Sequence, residues 1–191
     1  MTDFEFIFAL YSLVLGLSIV ELLAGFGKAL ELRLAHSPGS RKFSIGYLVP
    51  LFGIFVMLDL LSFWSFAWVV RDLIEVSTIS LLCVLSFAGI YYLAARLVFP
   101  TEPNDFVNLD THYYRVRRVI LSLLIALVVI QWAWLLSLEP IRDQLLTFTS
   151  VSLTVLFVAL MVAAMFTQTR RWSIVWLSAL SIRYLALYAL G

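Results

Sequence analysis

The chain has 191 residues, of which 63% are hydrophobic and 13% charged, with a formal net charge of +1 and a mean hydropathy of +1.01. Soluble domains are nearer half apolar, so this composition argues against a water-soluble fold and makes the bilayer the solvent. The near-neutral balance argues against nucleic acid as a partner, and the single cysteine, Cys83, leaves no intrachain disulfide and no CxxC metal signature.

A span takes roughly 20 predominantly apolar residues, so the length allows about six helices with short connections and no soluble domain. The expected fold class is all-α: a polytopic six-transmembrane-helix bundle forming a single transmembrane domain over 1–191, with spans at about 4–30, 45–70, 76–99, 119–138, 145–167 and 172–190. The acidic start, Met1 to Glu5, lacks the basic n-region of a signal peptide, so the first run reads as a retained span. Along it Tyr11, Ser18, Glu21, Gly25 and Lys28 share one stripe, while Ile7, Leu13, Leu17 and Leu23 dominate elsewhere. This is a helix with a polar seam. His36, Pro38, Gly39, Arg41 and Lys42 mark the first loop.

The second span carries Pro50 in its first turns, Asp59 near its middle, and Trp64, Phe66 and Trp68 at its end, where aromatic rings favour the headgroup level. The third carries Tyr91, Tyr92 and Arg96. In the longest connection, Pro100 to Arg118, Asp110 reads as an N-cap ahead of His112, Tyr113, Tyr114, Arg115, Arg117 and Arg118, a helical lead-in to span four. Span four holds Gln131, Trp132 and Trp134 and ends at Glu139 and Pro140. Span five sets Thr147, Ser150, Thr154, Met161, Met165 and Gln168 on one stripe, and span six holds Arg183 near its middle. The words Tyr92-Leu93-Ala94 and Tyr184-Leu185-Ala186 recur in spans three and six, too short a match to establish an inverted repeat.

The odd-numbered connections and their flanks hold Lys28, Arg33, Arg41, Lys42, Arg96, Arg115, Arg117, Arg118, Arg170 and Arg171, ten of the 13 basic residues. Positive residues stay cytoplasmic, so both termini are expected outside the cytoplasm.

Ionisable groups within spans cost about 2.5 to 3.5 kcal/mol each on insertion scales, which singles out Glu21, Asp59 and Arg183. At 1.5 Å per residue, Asp59 and Arg183 fall at nearly the same depth with Gln131 close by, forming a polar layer. An ion pair between them is geometrically available, either as a structural bridge or as part of a solute site. Glu21 falls about 9 Å nearer the cytoplasm, level with Tyr91 and Tyr92. It is expected to be the unpaired carboxylate, able to load and unload a proton, or else a protonated acid bonded to Ser18 or to a neighbouring tyrosine. Gly25 suits close helix packing, and Lys28 suits snorkelling to the surface. The Thr147, Ser150, Thr154 stripe could line a pathway, though hydroxyls in spans also bond to carbonyls of the preceding turn. His112, Arg115, Arg117 and Arg118 could contact anionic headgroups or a partner, or form an ordinary positive flank.

Neither His36 nor His112 lies in a span, so no haem or His-based metal site is expected, and no GxSxG, HExxH, P-loop or paired intramembrane aspartate is present. No cofactor is expected, and nothing in the inventory supports an enzyme. The opening 4–30, with its Leu-Gly-Leu-Ser-Ile-Val-Glu core, together with Tyr91 to Pro100 and His112 to Arg118, resembles an uncharacterised family of small bacterial multi-pass inner-membrane proteins. The resemblance implies a bacterial inner membrane and brings no activity, ligand or cofactor. The expected function is an ion or proton channel or small-solute transporter, self-associating in the lipid bilayer. The alternative is a non-catalytic membrane subunit or signalling sensor that binds a membrane or cytoplasmic protein partner. A water-filled cavity reaching Glu21 would favour transport, and a dry, fully paired interior would favour the alternative.

Overall fold

The computed structural model describes residues 3–34, 46–71, 77–102 and 108–190. Its helices are α1 (Asp3–Leu34), α2 (Leu48–Val69), α3 (Thr78–Val98), α4 (Asp110–Leu136), α5 (Glu139–Leu145), α6 (Phe148–Phe166) and α7 (Arg170–Leu190). All but the short α5 are long and apolar enough to cross a bilayer, which matches the expected six spans. The first-loop residues His36, Pro38, Gly39, Arg41 and Lys42 lie outside the described residues.

The first helix turns part of its polar seam inward and many of its leucines outward. On α1, Tyr11 and Ser18 are buried while Leu13 and Leu23 are 62% and 54% exposed. In lipid an outward leucine costs nothing, and association rests on close packing and interhelical hydrogen bonds. Gly25 supplies the close approach: the Phe99 ring occupies the space a Cβ would need, and that ring packs edge-on to Phe26 at 4.8 Å. Thus α1 lies mainly along α3, and α2 packs against α1, α3, α4 and α7. Leu48, Val49, Phe52, Phe55, Val56 and Leu60 of α2 are fully buried. The central helix is therefore α2.

Side chains tie the helix ends together at one end of the bundle. The Leu48 N–H at the start of α2 donates to Asp110 Oδ1 at 2.9 Å, and Arg170 Nε at the start of α7 pairs with Asp110 Oδ2 at 3.1 Å. Gly46, at φ +67°, leaves room for that carboxylate, which stands where a Cβ would be; only glycine adopts this backbone without strain. Asp110 thus caps α2 rather than its own helix, whose first N–H, that of Asp110, donates to Asn108 Oδ1 at 2.8 Å. Arg117 Nη1 donates to the carbonyls of Thr167 and Ala164 at the end of α6, and Lys28 Nζ donates to the Thr101 carbonyl at 2.6 Å. So α2, α4 and α7 start where α1, α3 and α6 finish, an up-and-down order. This same end gathers Arg33, Arg96, Arg115, Arg118 and Arg171.

Two local features depart from the sequence reading. Glu139 and Pro140, expected to end span four, instead begin the short helix α5, with Pro140 in its first turn, where a missing N–H costs nothing. His112 and Arg117, expected on a lipid- or partner-facing surface, are buried, at 8% and 3% exposure. His112 Nε2 lies 3.1 Å from the Leu97 carbonyl at the end of α3. Arg117 stacks over the Tyr114 ring at 4.7 Å. Helix ends leave carbonyls unpaired, and these two side chains meet that demand inside the bundle. Arg115 and Arg118 remain exposed.

Candidate functional site

Asp59 lies in the continuous apolar run of α2, and the central position of that helix leaves it 4% exposed. A buried carboxylate needs donors. Two neighbouring helices provide them: Tyr91 of α3 donates its hydroxyl to Oδ2 at 2.9 Å, and Tyr184 of α7 donates to Oδ1 in a short hydrogen bond. Aromatic rings surround the group. Phe157 meets Tyr184 edge-on at 5.6 Å, Phe55 lies 6.3 Å from Tyr184, and Phe63 lies 5.1 Å from Tyr91.

Arg183 does not form the ion pair that its depth made available. Its guanidinium carbon sits 4.2 Å from the Phe157 ring centre and 5.1 Å from that of Tyr184, and its buried Nε has no hydrogen-bond acceptor. Successive residues on a helix point about 100° apart, so Tyr184 reaches the carboxylate while Arg183 passes over the rings beside it. The result is a carboxyl group held by two hydroxyls next to a guanidinium held by two π faces. Such a carboxylate can accept from both tyrosines when ionised, and when protonated can itself donate a hydrogen bond.

Glu21 occupies a second, separate cluster. Arg96 Nη1 donates to Oε2 at 2.8 Å and the Tyr92 hydroxyl donates to Oε1 at 3.3 Å, so Glu21 is not the unpaired carboxylate. Tyr92 and Arg96 lie one turn apart on the same face of α3, which makes them a clamp. The expected level with Tyr92 is observed; the Arg96 contribution was missed because the sequence reading assigned that residue to a positive flank. Tyr91, expected at the same level, turns instead to Asp59. Ser18 bonds to the Val14 carbonyl of its own helix at 3.0 Å, and Thr154 likewise bonds to Ser150.

A cavity of about 590 Å³ opens at the other end of the bundle, between α1, α2, α3 and α4. Gln131 lies in its wall, so the expected single polar layer is divided between this cavity and the Asp59 cluster. Glu21 is not part of the wall, which is mainly apolar. Among the described residues no three His, Cys, Asp or Glu side chains come together as a metal site.

Comparison of the chain with protein-family models, with curated proteins and with solved structures finds no match. The class rests on the fold, which is that of a multi-pass membrane protein with six apolar spans.

Proposed function

We propose that this protein moves a proton, ion or small solute across its membrane, with Asp59 as the group that takes up and releases the positive charge. The observation that carries the reading is the bonding of Asp59: an acid inside the central span, with hydroxyl partners and, among the described residues, no cation at ion-pair distance. A structural charge in a bilayer is ordinarily neutralised by a direct partner, and an intramembrane acid without one marks a pathway or relay. Tyr91 and Tyr184 act as the hydroxyl donors that accompany the change in charge, and Arg183 keeps a positive charge close to the site. The protein works in a bacterial inner membrane with both termini outside the cytoplasm, as a homo-oligomer.

A second reading, a non-catalytic membrane subunit or sensor, is favoured by the Glu21–Arg96–Tyr92 clamp and by a cavity wall that does not include Glu21. Proton and monovalent-cation flux in proteoliposomes separates the two. The proposal expects flux in the native chain that is lost in Asp59→Asn while the detergent-solubilised assembly stays intact. Absence of flux in the native chain under either sign of voltage would reject ion or proton conduction in favour of the second reading.

A further inference from the structure

We propose that the cavity between α1, α2, α3 and α4 holds one acyl chain of a bilayer phospholipid, from the leaflet in which α1 and α3 begin. Its depth is the first argument. The wall extends from Val70, Ile79 and Leu138, at the ends of their helices, to Phe63, Phe87 and Ile130. Seven or eight residues separate the two levels, about 10 to 12 Å at 1.5 Å per residue. One leaflet contributes about 15 Å of a hydrocarbon core about 30 Å thick, so the cavity has the reach of a lipid tail and is far too short for a crossing helix.

Its chemistry is the second argument. Among the described residues the wall carries no Asp, Glu, Lys or Arg, and the Tyr11 hydroxyl that it includes is already donated to the Phe63 carbonyl at 3.3 Å. Each ordered water needs two to four polar partners, and the few polar groups of this wall, chiefly Gln131 and Ser80, are too sparse to hold a water-filled space of 590 Å³. The inner limit is a pair of stacked rings, Phe63 and Phe87, 4.3 Å apart and within 11° of parallel. Both rings line the cavity, so its inner end is apolar. Asp59 is not in the wall, so this inference stands or falls separately from the transport reading.

Cys83, the only cysteine, also lines the cavity and gives a native reporter. The full-length protein is reconstituted in phosphatidylcholine containing a small fraction of the same lipid with a diazirine midway along one acyl chain. After photolysis, adducts are mapped by mass spectrometry. The expected result is several-fold enrichment at the cavity residues Val84 and Phe87 over the exposed Leu82 and Leu85 of the same helix. Prior alkylation of Cys83 with N-ethylmaleimide occupies part of the cavity without a change of sequence and is expected to reduce the enrichment at Phe87, as is Val84→Trp. Leu82→Trp is expected to leave it in place. Equal labelling of both faces in the native chain would overturn the proposal, as would enrichment at Phe87 left unchanged by both alkylation and Val84→Trp. No enrichment on the cavity face, together with a Cys83–Cys83 disulfide between two copies on addition of a copper–phenanthroline oxidant, would assign the cavity to a second copy and overturn it too.

Discussion

Replacing Asp110 separates the two bonds that join α2, α4 and α7. Asp110→Ala removes the acceptor of the buried Leu48 N–H and the partner of Arg170. A hydrogen bond to a charged group contributes about 1.5 to 3 kcal/mol, and loss of a helix cap costs about 0.5 to 2 kcal/mol, two views of the same bond. The Arg170 side chain is 51% exposed, so its ion pair adds about 0 to 1 kcal/mol. The total is about 1.5 to 4 kcal/mol, centred near 2 to 3. At about 2 to 4 °C per kcal/mol for a chain of this size, Tm should fall by about 4 to 12 °C. Asp110→Asn keeps an acceptor for the Leu48 N–H but loses the charge from that bond and from the Arg170 pair, so its fall should be clearly smaller than that of Asp110→Ala. Thermal unfolding in one fixed detergent, followed by circular dichroism and by tryptophan fluorescence, reads both variants. Equal losses for the two would show that charge, not the cap, dominates; no loss in Asp110→Ala would refute the interlock.

Three other substitutions probe the remaining contacts. Tyr184→Phe deprives a buried carboxylate oxygen of its donor and should cost about 1 to 3 kcal/mol in a reversible unfolding assay, whereas Tyr188→Phe, on a half-exposed residue, should cost less than half as much. Arg96→Ala at the half-exposed Glu21 clamp should cost no more than about 1 kcal/mol, with a loss that shrinks as salt is raised. Gly25→Val should destabilise the α1–α3 contact by about 1 to 3 kcal/mol through its collision with Phe99, and Phe99→Ala should recover part of that loss when the two are combined.

The span pattern was legible because membrane thickness fixes the length of an apolar run, and the charges between runs fix the breaks. Depth was legible for the same reason: counting residues placed Asp59 with Arg183 and Glu21 with Tyr92. Azimuth was not. A one-residue step turns the side chain through about 100°, so the sequence reading chose Arg183 where the neighbouring Tyr184 makes the bond. The inward destinations of Arg117 and His112 were hidden for a related reason. A basic residue near a helix end reads as a lipid-facing flank, and only the packed bundle reveals the bare carbonyls of α6 and α3 beside it. Asp110 shows the same limit from the other side: its capping chemistry was recognised, but the helix that it caps lies 62 residues earlier in the chain.

The central claim is that Asp59, rather than the clamped Glu21, is the working carboxylate. Proton flux of Asp59→Asn and Glu21→Gln, reconstituted at equal density beside the native chain and checked for an intact assembly, tests it most directly. The account predicts loss of flux in Asp59→Asn and flux close to native in Glu21→Gln. Native flux in Asp59→Asn together with loss in Glu21→Gln would contradict it and return the pathway to the polar seam of α1.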